Sequence, residues 1–130
     1  MTTVRDVMNT ELVIVGPGAT VQQAAGGMFA SHTGSTLVME GDRLLGIFTE
    51  RDIVKALSGT SDAGRSSLVR DRMTPDPQVI EPDASVGRAL DQMLDGGFRH
   101  LPVVEDGRVI GVVSMRDLAQ AASRHAPAGT

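Results

Sequence analysis

Short unbroken apolar runs alternate with stretches in which apolar residues return every three or four positions, and the whole series occurs twice. In the first half the runs are Leu12 to Val15, Thr36 to Met39 and Leu44 to Phe48; in the second they are Gln78 to Ile80, His100 to Val104 and Val109 to Val113. Runs this short, bounded by Gly, Pro and Asp, predict strands. Gly41-Asp42 and Asp106-Gly107 turn the last two strands of each set into hairpins, and Gly16-Pro17-Gly18 and Glu81-Pro82-Asp83 turn the first strand toward a helix. Thr20-Val21-Gln22-Gln23 is a capping box that opens a helix with Val21, Ala24, Ala25 and Met28 on one face. Ser85 opens its counterpart, with Val86, Ala89, Leu90 and Met93 expected inward. Gly26, Gly27, Gly96 and Gly97 are expected to weaken or end these helices, at roughly 1 kcal/mol each where interior. Val4 to Met8 and Val69 to Met73 read as short helical turns, and closing helices run from Thr49 to about Leu57 and from Ser114 to about Ser123.

The repetition is in register. A shift of 65 residues lays Val4 to Leu57 on Val69 to Ala122 without a gap, matching Val4-Arg5-Asp6 and Met8 to Val69-Arg70-Asp71 and Met73. Pro17, Ala19, Val21, Ala24 and Met28 fall on Pro82, Ala84, Val86, Ala89 and Met93. This predicts an α/β protein built from two tandem β-α-β-β-α units, residues 1–58 and 68–125, joined by a small-polar linker over 59–67 and followed by a flexible tail over 126–130. One unit is too small to cover both faces of a three-stranded sheet, so the two are expected to pack about a pseudo-twofold axis.

Composition removes several classes of function. Aromatic residues are 2% of the chain and the net charge is minus 4, which disfavours nucleic acid as a partner. There is no cysteine, hence no disulfide, thiolate metal site or thiol nucleophile. Three scattered histidines make a poor metal case; His32 and His125 are expected to face solvent. No signal peptide or membrane span is visible, so a cytoplasmic protein is the default expectation. Glu11 to Val21 imitates a dinucleotide-binding turn with Gly16 and Gly18, but the third glycine is missing and the repeat places Glu81 and Asp83 where a pyrophosphate would lie.

The chemistry concentrates where each last strand meets its helix. Gly46-Ile47-Phe48-Thr49-Glu50-Arg51-Asp52 and Gly111-Val112-Val113-Ser114-Met115-Arg116-Asp117 each bring a hydroxyl and, three places on, a carboxylate to one helix end. Ser/Thr-x-x-Asp is a capping box and accounts for both aspartates without any ligand; a carboxylate there could also grip one, and the two roles are compatible. His100 reads equally as a satisfied strand histidine, Arg51 and Arg116 as partners of surface carboxylates, and Met8, Met28, Met73 and Met93 as core.

The doubled Gly-apolar-apolar-Ser/Thr-x-x-Asp motif, together with Arg99-His100-Leu101-Pro102-Val103-Val104 in the second copy, resembles a tandem pair of cystathionine-beta-synthase (CBS) domains, a Bateman module, over Val4 to about Ser123. The resemblance implies a regulatory, non-catalytic module that binds an adenosine-containing ligand in the cleft between its repeats. Asp117 or Asp52 would hold the ribose hydroxyls, with Ser114 or Thr49 beside the ribose or phosphate. Val112 and Ile47, with backbone near Asn9 to Val13 and Thr74 to Val79, would flank the adenine. Arg99 and His100 would face the phosphate, with Arg116 and Arg51 as weaker phosphate candidates. AMP, ADP, ATP, NAD and S-adenosylmethionine all fit, and a disc-like homodimer that reports to a regulated protein is the implied assembly.

The first copy departs from this pattern, because Gly34-Ser35-Thr36-Leu37 stands in place of Arg99-His100-Leu101-Pro102. At most one well-occupied site per chain is therefore expected, the one that uses Asp117. The alternative is a structural or interaction module that binds no nucleotide and dimerises through its repeats. A small-molecule hydrolase is a distant third, since no nucleophile-base pair is visible.

Overall fold

The computed structural model describes residues 1–59 and 63–124. Two compact units emerge, and they do not follow the halves of the sequence: one is Leu12–Pro77, the other Met1–Glu11 with Gln78–Thr130. Each unit takes its opening segment from the other repeat. The expected tail over 126–130, and His125, lie outside the described residues.

In Leu12–Pro77, strand β1 (Ile14–Val15) runs parallel to β2 (Ser35–Glu40), which pairs antiparallel with β3 (Arg43–Thr49). The far edge of β3 carries β4 (Thr74–Pro75), delivered from the start of the second repeat. Helix α2 (Val21–Ser31) connects β1 to β2, and α3 (Glu50–Leu57) follows β3. Thr20 caps α2 as the sequence predicts: its hydroxyl accepts the Gln23 N–H at 3.1 Å while Gln23 Oε1 accepts the Thr20 N–H at 2.9 Å. Apolar periodicity turns Val21, Ala24 and Met28 onto Val38, Phe48 and Ala56, and Val69, from the 3-10 turn Val69–Asp71, completes this core with no exposed surface.

The second unit repeats the plan with exchanged ends. Helix α5 (Val86–Gly96), strands β5 (His100–Glu105) and β6 (Arg108–Ser114) and helix α6 (Met115–Arg124) come from the second repeat, whereas α1 (Val4–Val7) comes from the first. Ile80 bridges Val103 in parallel on one side of the hairpin and Asn9 bridges Val112 antiparallel on the other. These positions are 65 residues from Val15 and Thr74, so the strand order matches that of the first unit. Val4 is fully buried with Ile80, Ala89, Met93, Leu101, Val103 and Val113, and its N–H donates to the Ala84 carbonyl at 2.9 Å.

Several expectations change. Leu12 and Val13 stay outside β1, and of Gln78 to Ile80 only Ile80 enters a bridge, its N–H bonding Pro102 O and its carbonyl the Val104 N–H. Gly26 and Gly27 do not stop α2, which continues to Ser31 and ends at His32 in the left-handed conformation, φ 53°. Gly97 does end α5, at φ 72°. Leu90, expected inward, is 37% exposed, because Ala89 and Met93 already define the buried stripe and Leu90 sits a hundred degrees round from Ala89. Met28 and Met93 are core, as expected; Met8 and Met73 are half-buried against the two cores. Within the residues read as linker, Ala63–Ser66 form helix α4. Its Gly64 is packed so closely on the Ala56 carbonyl that no Cβ could fit.

Candidate functional site

A closing strand delivers each candidate hydroxyl to a helix start. β6 ends at Ser114 and α6 begins at Met115, whose N–H donates to the Arg99 carbonyl at 2.8 Å; in the other unit the Glu50 N–H donates to Gly34 O at 3.2 Å. Asp117 Oδ2 accepts the Ser114 N–H at 2.8 Å, and Ser114 Oγ accepts the Asp117 N–H at 3.1 Å. Asp52 Oδ2 accepts both the N–H and the hydroxyl of Thr49, at 2.9 and 3.2 Å. Both aspartates are therefore helix caps.

The caps leave room for a second role. Among the described residues every bond to these two carboxylates falls on Oδ2, so Oδ1 keeps its acceptor capacity. Asp52 and Asp117 are half-buried. Sequence reasoning missed a third box of the same kind: Asp6 Oδ2 accepts the Thr3 N–H at 2.9 Å and the Thr3 hydroxyl at 3.1 Å, on an exposed turn. The signal was present in Thr3-Val4-Arg5-Asp6. Its recurrence means that the motif by itself specifies a cap and nothing more.

Sheet register decides what accompanies each aspartate. His100 lies directly opposite Ser114, and Pro102 opposite Val112, so these four side chains share one face of the β5–β6 hairpin while Leu101, Val103 and Val113 line the core behind it. The equivalent face of β2–β3 carries Ser35 opposite Thr49 and Leu37 opposite Ile47. Val112 is half-buried, Ile47 only 6% exposed. Asn9 exchanges two backbone bonds with Val112, at 2.8 and 2.9 Å, so its N–H and carbonyl are spent on the ladder. Thr74 is the ladder partner of Ile47.

The structure thus brings together His100, Val112, Ser114 and Asp117, with Arg99 adjacent at the head of β5 and exposed. It brings together Ile47, Thr49 and Asp52 with a serine where the histidine would be. Arg51 and Arg116 are exposed in the first turns of α3 and α6, and neither forms an ion pair among the described residues. His32 is exposed, as expected. No group of three or more metal-binding side chains occurs among the described residues. A groove of about 400 Å³, lined by Met1, Thr2, Ser85, Val86, Gly87, Ala121 and Ala122, contains none of the residues just named. No helix of the described residues is long and apolar enough to cross a membrane.

Comparison with known proteins gives a consistent result. The family model described as CBS domain matches residues 4–59 and 69–124. An uncharacterized 17.7 kDa protein of Acidianus ambivalens is 42% identical over 122 residues, which cover 92% of this chain and 73% of that protein; the meiotically up-regulated gene 70 protein of Schizosaccharomyces pombe is 37% identical over 113 residues, which cover 85% of this chain and 15% of that protein. The crystal structure of the CBS-domain containing protein ATU1752 from Agrobacterium tumefaciens superposes with TM-score 0.87 at 34% identity, covering 93% of this chain and 99% of that one. CBSX2, crystallised in complex with AMP, superposes with TM-score 0.81 at 25% identity, covering 96% and 99%.

Proposed function

Because the chain belongs to the CBS-domain family, with one CBS domain in each repeat, we propose that it is a non-catalytic regulatory module that binds an adenine nucleotide, held by its second-copy aspartate. The observation that carries this reading is the division of labour on Asp117: Oδ2 caps α6 while Oδ1 takes no hydrogen bond among the described residues, on a hairpin face that also presents Ser114 and His100. A carboxylate oxygen in that state can accept hydrogen bonds from a vicinal diol, each worth about 1.5 to 3 kcal/mol as a charge-assisted bond. Arg99 supplies the positive charge that a phosphate needs, with His100 next to it at the head of β5. AMP is the first candidate, since CBSX2 was crystallised with it; ADP, ATP, NAD and S-adenosylmethionine share the ribose on which the argument rests.

The first copy is the poorer site. Ser35 takes the place of His100, Gly34 that of Arg99, and Leu37 and Ile47 leave only 1% and 6% of their surface exposed. One occupied site per chain follows, with Asp52 serving chiefly as a cap.

Signalling from such a module requires that ligand affinity differ between two arrangements of the protein. The assembly that fits is a homodimer in the cytoplasm, read by a regulated protein. Phe29 on α2 is 84% exposed and Leu94 on α5 is 62% exposed; they are the same position of the two repeats, and large apolar side chains kept at the surface twice over support a self-contact there.

The test is a thermal-shift panel with AMP, ADP, ATP, NAD and S-adenosylmethionine on the wild type, Asp117→Ala and Asp6→Ala. Both variants lose a cap, but only Asp117→Ala should lose the ligand-induced shift. At a ligand concentration of 100 times the dissociation constant that shift corresponds to about 2.7 kcal/mol. Equal shifts in all three proteins would remove Asp117 from the site, and no shift with any ligand would favour the interaction-module reading.

A further inference from the structure

The segment that closes the linker carries a second surface, independent of the nucleotide reading. Arg65, Arg70 and Arg72 are exposed within eight residues, accompanied by one acid, Asp71, in a chain whose net charge is minus 4. Among the described residues none of the three forms an ion pair.

The internal repeat shows that this is not imposed by the fold. Arg5 occupies the position of Arg70 in the other copy and is held by Glu105, with Asp83 at 3.7 Å. The counterpart of Asp83 is Gly18, and Glu40, the counterpart of Glu105, makes no ion pair with Arg70. One copy neutralises its arginine; among the described residues the other does not.

The open copy is also braced. Arg72 Nε donates to Ser67 Oγ at 3.3 Å, and the Ser67 hydroxyl in turn donates to the Gly64 carbonyl. Gly64 is seated on the Ala56 carbonyl, and the backbone pairs with α2's entry through Val21 N–H to Ser67 O and Val69 N–H to Ala19 O, at 2.9 and 2.8 Å. Arg72 is thus fixed through Nε, leaving its two terminal nitrogens as donors, on a base that is itself held. Pre-set guanidinium groups suit oxyanions, which they bind through paired N–H donors.

We propose that Arg65, Arg70 and Arg72 form a docking ridge for a carboxylate-rich segment of a partner protein. Three cations strung along eight residues match an extended acidic chain better than a single phosphate, and the absence of aromatic residues from 63–72 removes the stacking contacts that single-stranded nucleic acid uses.

Fluorescence anisotropy with a labelled peptide of alternating Glu and Gly tests this on the full chain. The peptide should bind at low ionic strength and be released by salt. Arg65→Gln, Arg70→Gln and Arg72→Gln should each weaken binding roughly two- to fivefold, as expected for exposed pairs, and the triple variant by about tenfold or more. Arg43→Gln and Arg108→Gln, exposed arginines elsewhere with the same change in charge, should leave it unaltered. Melting curves of each variant confirm that the protein remains folded. The proposal is overturned if the wild type does not bind the peptide, if the control variants weaken it as much as the ridge variants do, or if a single-stranded oligonucleotide of equal charge binds more tightly.

Discussion

Gly46 lies beneath the backbone of Thr74: a Cβ built on it would stand 2.8 Å from the Thr74 carbonyl oxygen and 2.8 Å from Met73 Cγ. At both glycines a methionine sulfur stands closest on a side chain that can swing, Met73 Sδ at Gly46 and Met8 Sδ, at 2.7 Å, at Gly111; the backbone differs, because the Asn9 carbonyl is 3.1 Å from the Cβ built on Gly111. Both substitutions displace a thioether, but Gly46→Ala also presses harder on its paired strand than Gly111→Ala does. Chemical denaturation should show Gly46→Ala losing about 1 to 3 kcal/mol and Gly111→Ala less. Equal losses would mean that the closer carbonyl at Gly46 adds nothing to the cost.

Thr36 Oγ1 is fully buried and finds no hydrogen-bond partner among the described residues, on the core face of β2 opposite Phe48. Its counterpart in the second copy is Leu101, an ordinary core residue. A buried hydroxyl without a partner costs about 1 to 3 kcal/mol, and valine keeps the branched shape. Thr36→Val should raise stability by about 1 kcal/mol, read as a higher denaturation midpoint at unchanged slope.

Acid should weaken the fold. The Thr3 N–H and then the Thr3 hydroxyl hold the Asp6 carboxyl below its ordinary value, and the Arg88 guanidinium does the same for Glu81. A carboxyl whose folded pKa is lowered binds more protons when unfolded, so its contribution is complete above the ordinary carboxylate pKa and is lost as pH falls through the folded one. The melting temperature should drop through that range. Asp6→Asn and Glu81→Gln together should flatten the drop; an identical pH profile would assign acid sensitivity to other groups.

The two copies should differ in ligand binding. Asp117→Asn keeps a side-chain oxygen for the cap but removes the charge offered to the ribose, and should weaken AMP by roughly tenfold, or about 1.4 kcal/mol. Asp52→Asn should change affinity far less. Calorimetric stoichiometry near one per chain would accompany this, whereas comparable losses at both positions would make the copies equivalent.

Much of this architecture is legible in the sequence because the repeat states every signal twice. The 65-residue register, the Thr20 and Ser85 caps and the hairpin turns at Gly41 and Gly107 follow from local chemistry alone. What escapes is non-local. Nothing within Val4 to Val7 says that its core partners begin at Ile80, and Val69 finds Val21 and Phe48 in the same way. The α4 turn escapes because Gly64 is dictated by the Ala56 carbonyl and not by its neighbours in sequence. In the candidate site the motif is visible, but that the Thr49 N–H and hydroxyl and the Ser114 N–H all fall on Oδ2 of their aspartates requires the side-chain geometry, and that His100 lies across from Ser114 requires the strand register.

The exchange of opening segments has a genetic corollary. A gene cut between its two repeats would yield two polypeptides, each missing a piece of its own interior and each holding the piece the other needs: Val4 would travel with the wrong half, and so would Val69. Neither product should survive alone in the cell, yet the pair expressed together should rescue one another, so the ancestor that preceded the duplication is best imagined as an obligate couple.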